Sequence, residues 1–268
     1  MSTYDVSMVT ELGPIADVLR EIDTVMSELG RSWMLVGAVA RDILLHHIAG
    51  LEPERLTHDV DVAVAVANWR DYGSLARHLG GHRGPMHRFV VCGLPVAVVP
   101  FGEIETSRRE IVWPDDHAMN VAGFREAYKS SDTVLLPDEL VIRIPSLAAL
   151  ALLKLSAWAD RRSISTKDAV DLRQILNTYG QAHFVEYLFN AGTDLMERHD
   201  FDPALAGAGL LGREVRALLG QDAIDVVLVA MDRERCEDLA RDMRGSVAEN
   251  RARLAAFLSE IADPPNAL

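Results

Sequence analysis

Cysteine is scarce. The 268 residues hold two, Cys92 and Cys236, far apart and outside any metal-ligand spacing. That excludes a disulfide framework and a cysteine-built zinc cluster, and it fits a reducing compartment. No apolar run approaches the roughly 18 residues that a membrane helix needs. The chain reaches Asp5 and Glu11 before any long apolar stretch, so the start does not read as a secretory signal. A soluble, cytoplasmic protein with no membrane partner is expected. Basic residues are also short, 27 against 40 acidic ones, for a net charge of −13. So acidic a body is a poor general polyanion binder, and nucleic acid would have to meet a local basic patch. What remains is 49% hydrophobic and 25% charged, enough for a packed core in one large domain or two modest ones.

The first half mixes helix and strand periodicities. Leu12, Ile15, Val18, Leu19, Ile22, Val25, Met26 and Leu29 form one helical stripe, stopped by Gly30. Trp33 to Val36 reads as a strand broken by Gly37, and Ala38 to Ile48 resumes helical spacing. From Asp59 to Val66 the alternation is strict: Val60, Val62, Val64 and Val66 face one way, Asp59, Asp61, Ala63 and Ala65 the other. Strands are predicted over 88–92 and 96–99, with Gly93, Leu94 and Pro95 as the turn, then irregular chain marked by Pro100, Gly102 and Pro114. A strand over 140–144 precedes Pro145. Beyond it the pattern is helical: Ser146 and Thr166 are N-cap candidates, Pro203 marks a helix start, and three or four helices follow the second. An α/β (α+β) N-terminal domain with a mixed sheet and flanking helices, residues 1–145, and an all-helical domain, residues 146–268, are expected.

Thr57-His58-Asp59-Val60-Asp61 carries the sharpest chemical signal. Residues two apart on a strand share a face, and two carboxylates there suit the divalent cations of phosphoryl transfer. The competing reading is a solvated strand start. Upstream, Leu35-Val36-Gly37-Ala38-Val39-Ala40-Arg41-Asp42 runs strand, glycine, helix, which lets a phosphate approach backbone amides. Arg41 could reach a phosphate or pair with an acid. A third cluster is Lys154, set among Leu152, Leu153 and Leu155, together with Lys167, Asp168 and Asp171. A lysine so placed needs a partner, and both aspartates border the inward stripe of their helix. The two readings are a triphosphate-binding lysine held by Asp171 and a structural salt bridge.

Together these residues resemble the nucleotidyltransferase fold of the DNA polymerase β superfamily. Within it the chain is similar to the AbiEii/AbiGii-type nucleotidyltransferase toxins, over Trp33 to Tyr179. The most specific strings are Val99-Pro100-Phe101-Gly102, Leu152-Leu153-Lys154-Leu155-Ser156-Ala157-Trp158 with Arg161, and Lys167-Asp168-Ala169-Val170-Asp171-Leu172. The resemblance implies that Asp59 and Asp61 hold Mg²⁺ (or Mn²⁺) and with it the NTP. Gly37 and Ala38 would lie against the phosphates, though many members have Ser or Gly where this chain has Ala38. Arg41 and Asp168 would join the nucleotide-binding set. Lys154 would contact the triphosphate and Asp171 would orient it. It further implies transfer of NMP to an RNA acceptor such as a tRNA 3′ end, and a cognate antitoxin partner.

The chain departs from the pattern at Ala97, where members carry a third carboxylate on the strand before Pro-Phe-Gly. That group helps ligate the catalytic metal and activate the attacking hydroxyl, so its loss spares nucleotide binding more than transfer. A missing ligand or base costs at least ~10²–10⁴-fold in rate. Glu103 and Glu105 lie past the strand end and are not expected to substitute. The chain is then either a degenerate member or a toxic enzyme deliberately disarmed, and the intact remaining motif residues favour the second.

Other readings stay open. Gly37-x-x-x-Arg41-Asp42 suggests a tRNA CCA-adding enzyme, but the chain is short for one and lacks an Arg-Arg-Asp-Phe-type segment. Ala97 suggests a pseudoenzyme that binds NTP or an antitoxin without chemistry. Nucleotidyl transfer to a small molecule or protein is a further alternative. Arg77, His78, His82, Arg83, His87 and Arg88 make a basic island that could face RNA, as could Arg108-Arg109 and Arg161-Arg162. For each of these a solvated loop is the competing reading. Trp33, Trp69, Trp113 and Trp158 read as core anchors rather than base-stacking platforms.

Overall fold

The computed structural model describes residues 2–52, 59–81, 85–181, 184–220, 223–224, 227–228 and 231–262. Thr57, His58, His82 and Arg83 lie outside the described residues. The architecture is α/β, and the chain divides into two compact units, Met1–Ser146 and Leu147–Leu268.

In the first unit the predicted stripe forms helix α1 (Gly13–Glu28), whose Val18, Leu19, Ile22 and Met26 are fully buried. Pro14 stands in its first turn, where a missing N–H costs nothing. Strand β2 (Trp33–Val36) leads through Gly37 into α2 (Gly37–Asp42), which loosens into a π-helical stretch, Ile43–Ile48. A mixed sheet then assembles in the order β2, β3 (Val60–Ala65), β5 (Leu94–Phe101), β4 (Arg88–Val91). β2 and β4 run antiparallel to their neighbours, whereas β3 and β5 are parallel. Val60, Val62, Val64, Val96 and Val98 are all 0% exposed, which fixes the register because a one-residue slip would bury Asp61 instead.

Several elements correct the sequence expectation. The β4–β5 turn is Cys92-Gly93, not Gly93 to Pro95: φ values of 49° and 80° make it a two-residue turn of the primed kind, pairing Val91 with Leu94. Pro95 and Pro100 sit inside β5, which therefore runs past its predicted end. Helix α3 (Trp69–His78) occupies part of the basic island, started by Asn68 Oδ1 accepting from the Asp71 N–H. The stretch read as irregular holds a hairpin, β6 (Glu110–Val112) and β7 (Ala118–Asn120), and helix α4 (Phe124–Lys129). A second sheet joins β1 (Thr3–Asp5), β8 (Asp132–Leu136) and β9 (Leu140–Ile144).

The second unit is helical. It holds α5 (Leu147–Arg161), α6 (Lys167–Thr178), α7 (Val185–Ala191), α8 (Thr193–Arg198), α9 (Pro203–Leu218), α10 (Arg233–Asp242) and α11 (Val247–Ala262). Five helices thus follow α6 among the described residues, more than expected, because Gly192 splits a short segment into α7 and α8. Thr166 stands at the N-cap of α6, but its side chain makes no capping bond. Asp202 does cap α9, accepting from the Ala204 and Leu205 N–H groups. Helices α9 and α11 approach closely: a Cβ on Gly212 would lie 2.1 Å from the Phe257 carbonyl oxygen. Trp33, Trp113 and Trp158 are buried and Trp69 is half-buried, in keeping with their reading as core anchors.

Candidate active site

Asp61 is placed by the sheet and by a glycine. Its Cα partner on β2 is Val36, the residue before the chain turns at Gly37. Gly37 has φ +74°, and a Cβ built on it would meet Asp61 Oδ2 at 2.1 Å and Asp61 Cβ at 2.6 Å. Any other residue is therefore excluded twice, by backbone conformation and by the carboxylate that occupies the space. The start of α2 is thereby seated directly on the Asp61 side chain. Asp59 lies two residues before Asp61 and is exposed, while Asp61 is half-buried.

On the other side, Asp61 pairs in parallel register with Ala97 on β5, and Ala97 pairs with Arg88 on β4. The position of the expected third carboxylate is thus beside Asp61, and alanine fills it at 3% exposure. Glu105 is already committed elsewhere. It accepts from the Gly102 N–H at 2.8 Å and from Arg109 Nε at 2.6 Å, and lies 3.0 Å from Arg125 Nε, with its side chain 0% exposed. It fastens the turn after β5, and two arginines already compensate its charge. Glu103 is exposed. Among the described residues, no group of three or more His, Cys, Asp or Glu side chains is arranged to hold a metal ion. Two carboxylates suffice for Mg²⁺, which usually binds one or two protein carboxylates, substrate phosphates and water.

Ala38 is buried, and Arg41 is 1% exposed with its Nε donating to Asp42 Oδ1 at 2.8 Å. The competing reading for Arg41, an ion pair with an acid, is therefore present, although buried rather than on the surface. Arg109 is spoken for as well, held by Glu105 and by two bonds of 2.9 Å to Glu126. The Glu126 and Glu105 carboxylates that accept from it raise the guanidinium pKa well above its ordinary value, and its availability to RNA falls accordingly.

The second unit carries its own cluster. Lys154, 6% exposed in the most apolar helix, puts Nζ 2.7 Å from Asp171 Oδ2 and 3.4 Å from Asp168 Oδ1. Arg161 grips Asp168 with two bonds of 2.7 and 2.9 Å. Two cations thus face two carboxylates that are 1% and 0% exposed. The spacing signal was sound: both aspartates lie inward, and burial of the ammonium is compensated by charge. Arg162 is held by Asp238 at 2.5 Å and lies over the Trp158 ring.

No family model and no curated protein matches the chain. Among solved structures it is similar to the antibiotic-resistance factor ANT(2″)-Ia, at 15% identity and TM-score 0.39, over 72% of this chain and 97% of that one. It is also similar to the Thermotoga maritima CCA-adding enzyme complexed with tRNA, at 17% identity and TM-score 0.25, over 92% and 80% of the two chains. A tRNA-processing enzyme in an apo form aligns at 15% identity and TM-score 0.23, over 89% and 81%. Likeness at these scores carries no argument about what this chain does. No helix of the described residues is long and apolar enough to cross a membrane.

Proposed function

We propose that the chain is a Mg²⁺-dependent nucleotidyltransferase of the toxin type, which transfers NMP from an NTP to an RNA acceptor such as a tRNA 3′ end. The observation that carries this reading is the Gly37–Asp61 contact. A glycine turn closed onto one of two carboxylates spaced i, i+2 on a strand brings the helix start next to carboxylates able to hold a divalent ion, which supports a site for a metal-bound phosphate. Asp59 and Asp61 would hold Mg²⁺, which neutralises phosphate charge when bound. By the resemblance, Lys154 takes a triphosphate contact and Asp171 orients its ammonium. In the reaction an acceptor hydroxyl oxygen bonds to the α-phosphorus, the bond to the departing diphosphate breaks, and the hydroxyl proton passes to solvent. A cognate antitoxin would restrain the activity in the cell.

With alanine at 97 and Glu105 held by Gly102, Arg109 and Arg125, no third carboxylate assists the hydroxyl, so transfer is slow relative to nucleotide binding. The same observation supports a second reading, a pseudoenzyme that binds NTP without turnover. The test is transfer from each α-labelled NTP into total RNA with Mg²⁺, with Asp61→Asn as control. Label that depends on Asp61 supports the transferase. Nucleotide binding that depends on Asp61, without label, supports the pseudoenzyme. Absence of both removes the nucleotide reading.

A further inference from the structure

The cross-strand row that contains Asp61 ends in a cation. The pairings Val36–Asp61, Asp61–Ala97 and Ala97–Arg88 put four residues on one line across β2, β3, β5 and β4, all on one face. The burial pattern agrees: Phe89 and Val91, on the opposite face of β4, are 2% and 5% exposed, while Arg88 is half-buried. With strands about 4.8 Å apart, the Arg88 Cα stands roughly 10 Å from that of Asp61, within reach of one bound phosphate chain. Among the described residues Arg88 has no ion pair and no side-chain hydrogen bond. A guanidinium without a carboxylate is open to an anion, and its planar fork suits phosphate oxygens.

We propose that Arg88 is the second cation of this face: it binds the phosphates of a nucleoside triphosphate brought to Asp59 and Asp61 by a single divalent ion. This rests on the nucleotidyltransferase reading and deepens it. Ala97 places neither bulk nor charge between the two. A carboxylate at 97 would sit directly opposite Arg88, with Cβ atoms about 4.5–5.5 Å apart, and would be drawn into a cross-strand ion pair. Alanine and arginine are therefore a matched set, and aspartate at 97 alone does not create a metal ligand.

The experiment measures binding of the non-transferable α,β-methylene nucleoside triphosphates with Mn²⁺, the bound ion being counted by electron paramagnetic resonance. Arg88→Gln should weaken nucleotide affinity by at least about tenfold, with Arg88→Lys intermediate and both retaining the parent's thermal unfolding. One Mn²⁺ is expected per nucleotide-bound parent chain and per Ala97→Asp chain, and two in the Ala97→Asp/Arg88→Gln double variant. The proposal is overturned by parental affinity in Arg88→Gln, or by a second Mn²⁺ in Ala97→Asp alone. Asp61→Asn separates the two levels. If it abolishes nucleotide binding and Arg88→Gln changes nothing, only the role of Arg88 falls. If the parent chain binds no nucleotide, both readings fall.

Discussion

Asp61 on β3 and Lys154 on α5 are held in place by different means. Asp61 is fixed by backbone: a strand partner on each side and a glycine whose missing Cβ leaves room for its carboxylate. It stays half-buried, next to an exposed Asp59. Lys154 is fixed by charge, its ammonium 2.7 Å from a fully buried Asp171 and its second neighbour Asp168 shared with Arg161. The first arrangement sets two carboxylates side by side on one strand face. The second is neutral within itself. Stability and ligand binding should therefore separate between the two, with the lysine cluster dominating the former and the strand aspartates the latter.

The sharpest break is Lys154→Met. It keeps the apolar stem but leaves Asp171 buried without its cation, and removing one partner of a buried pair costs about 3–5 kcal/mol. Urea unfolding should show that loss, and Lys154→Met/Asp171→Leu should recover most of it, because two apolar groups can replace a buried pair at little cost. If Lys154→Met proves neutral, the cluster is not what holds α5 to α6. Gly37→Ala comes next. An alanine held at positive φ costs on the order of 1–3 kcal/mol, and the Asp61 carboxylate must also move. Nucleotide affinity should fall further than stability accounts for, by roughly 10–100-fold once what positions a metal-holding carboxylate is disturbed, as calorimetric titration with Mn²⁺ and nucleotide would show. Affinity unchanged in folded Gly37→Ala would mean that the glycine serves only the turn.

How much of this was legible in the sequence follows the same division. Strict valine alternation announced β3 and put Asp59 and Asp61 on one face, because a period of two has one solution on a buried sheet. Lys154 among leucines announced a buried partner, because an unpaired ammonium there is untenable. The register that aligns Asp61, Ala97 and Arg88 was not legible. It depends on strand order, and sequence neighbours β4 and β5 give no hint that β3 inserts beside β5. Helix α3 is absent from the sequence reading, which weighed only its last residues, Arg77 and His78, as part of a basic island, although the Asn68 cap was a start signal. The role of Glu105 could not be read either, since its three partners come from the turn before it and from two later segments.

Glu214 sharpens the comparison further, because it is an acid in the second unit whose bonds come from neutral groups. Its carboxylate accepts from Tyr179 Oη at 2.6 Å and Tyr187 Oη at 2.7 Å. Burial pushes its pKa up despite these two donors, and the Tyr187 hydroxyl, through burial and that bond, is pushed up to about 12. A carboxyl raised in the folded state binds its proton more tightly there than in the unfolded chain. Its contribution to stability is present in full below the ordinary carboxylate range and is lost as pH rises through the raised value. Glu214→Gln removes that titration and can still accept from one tyrosine. The stability of the glutamine variant relative to the parent should therefore rise as pH climbs above the ordinary carboxylate range and level off once the raised value is passed, as urea unfolding across pH would show. A constant difference would mean that the two tyrosine hydroxyls offset the burial of the Glu214 carboxylate in full.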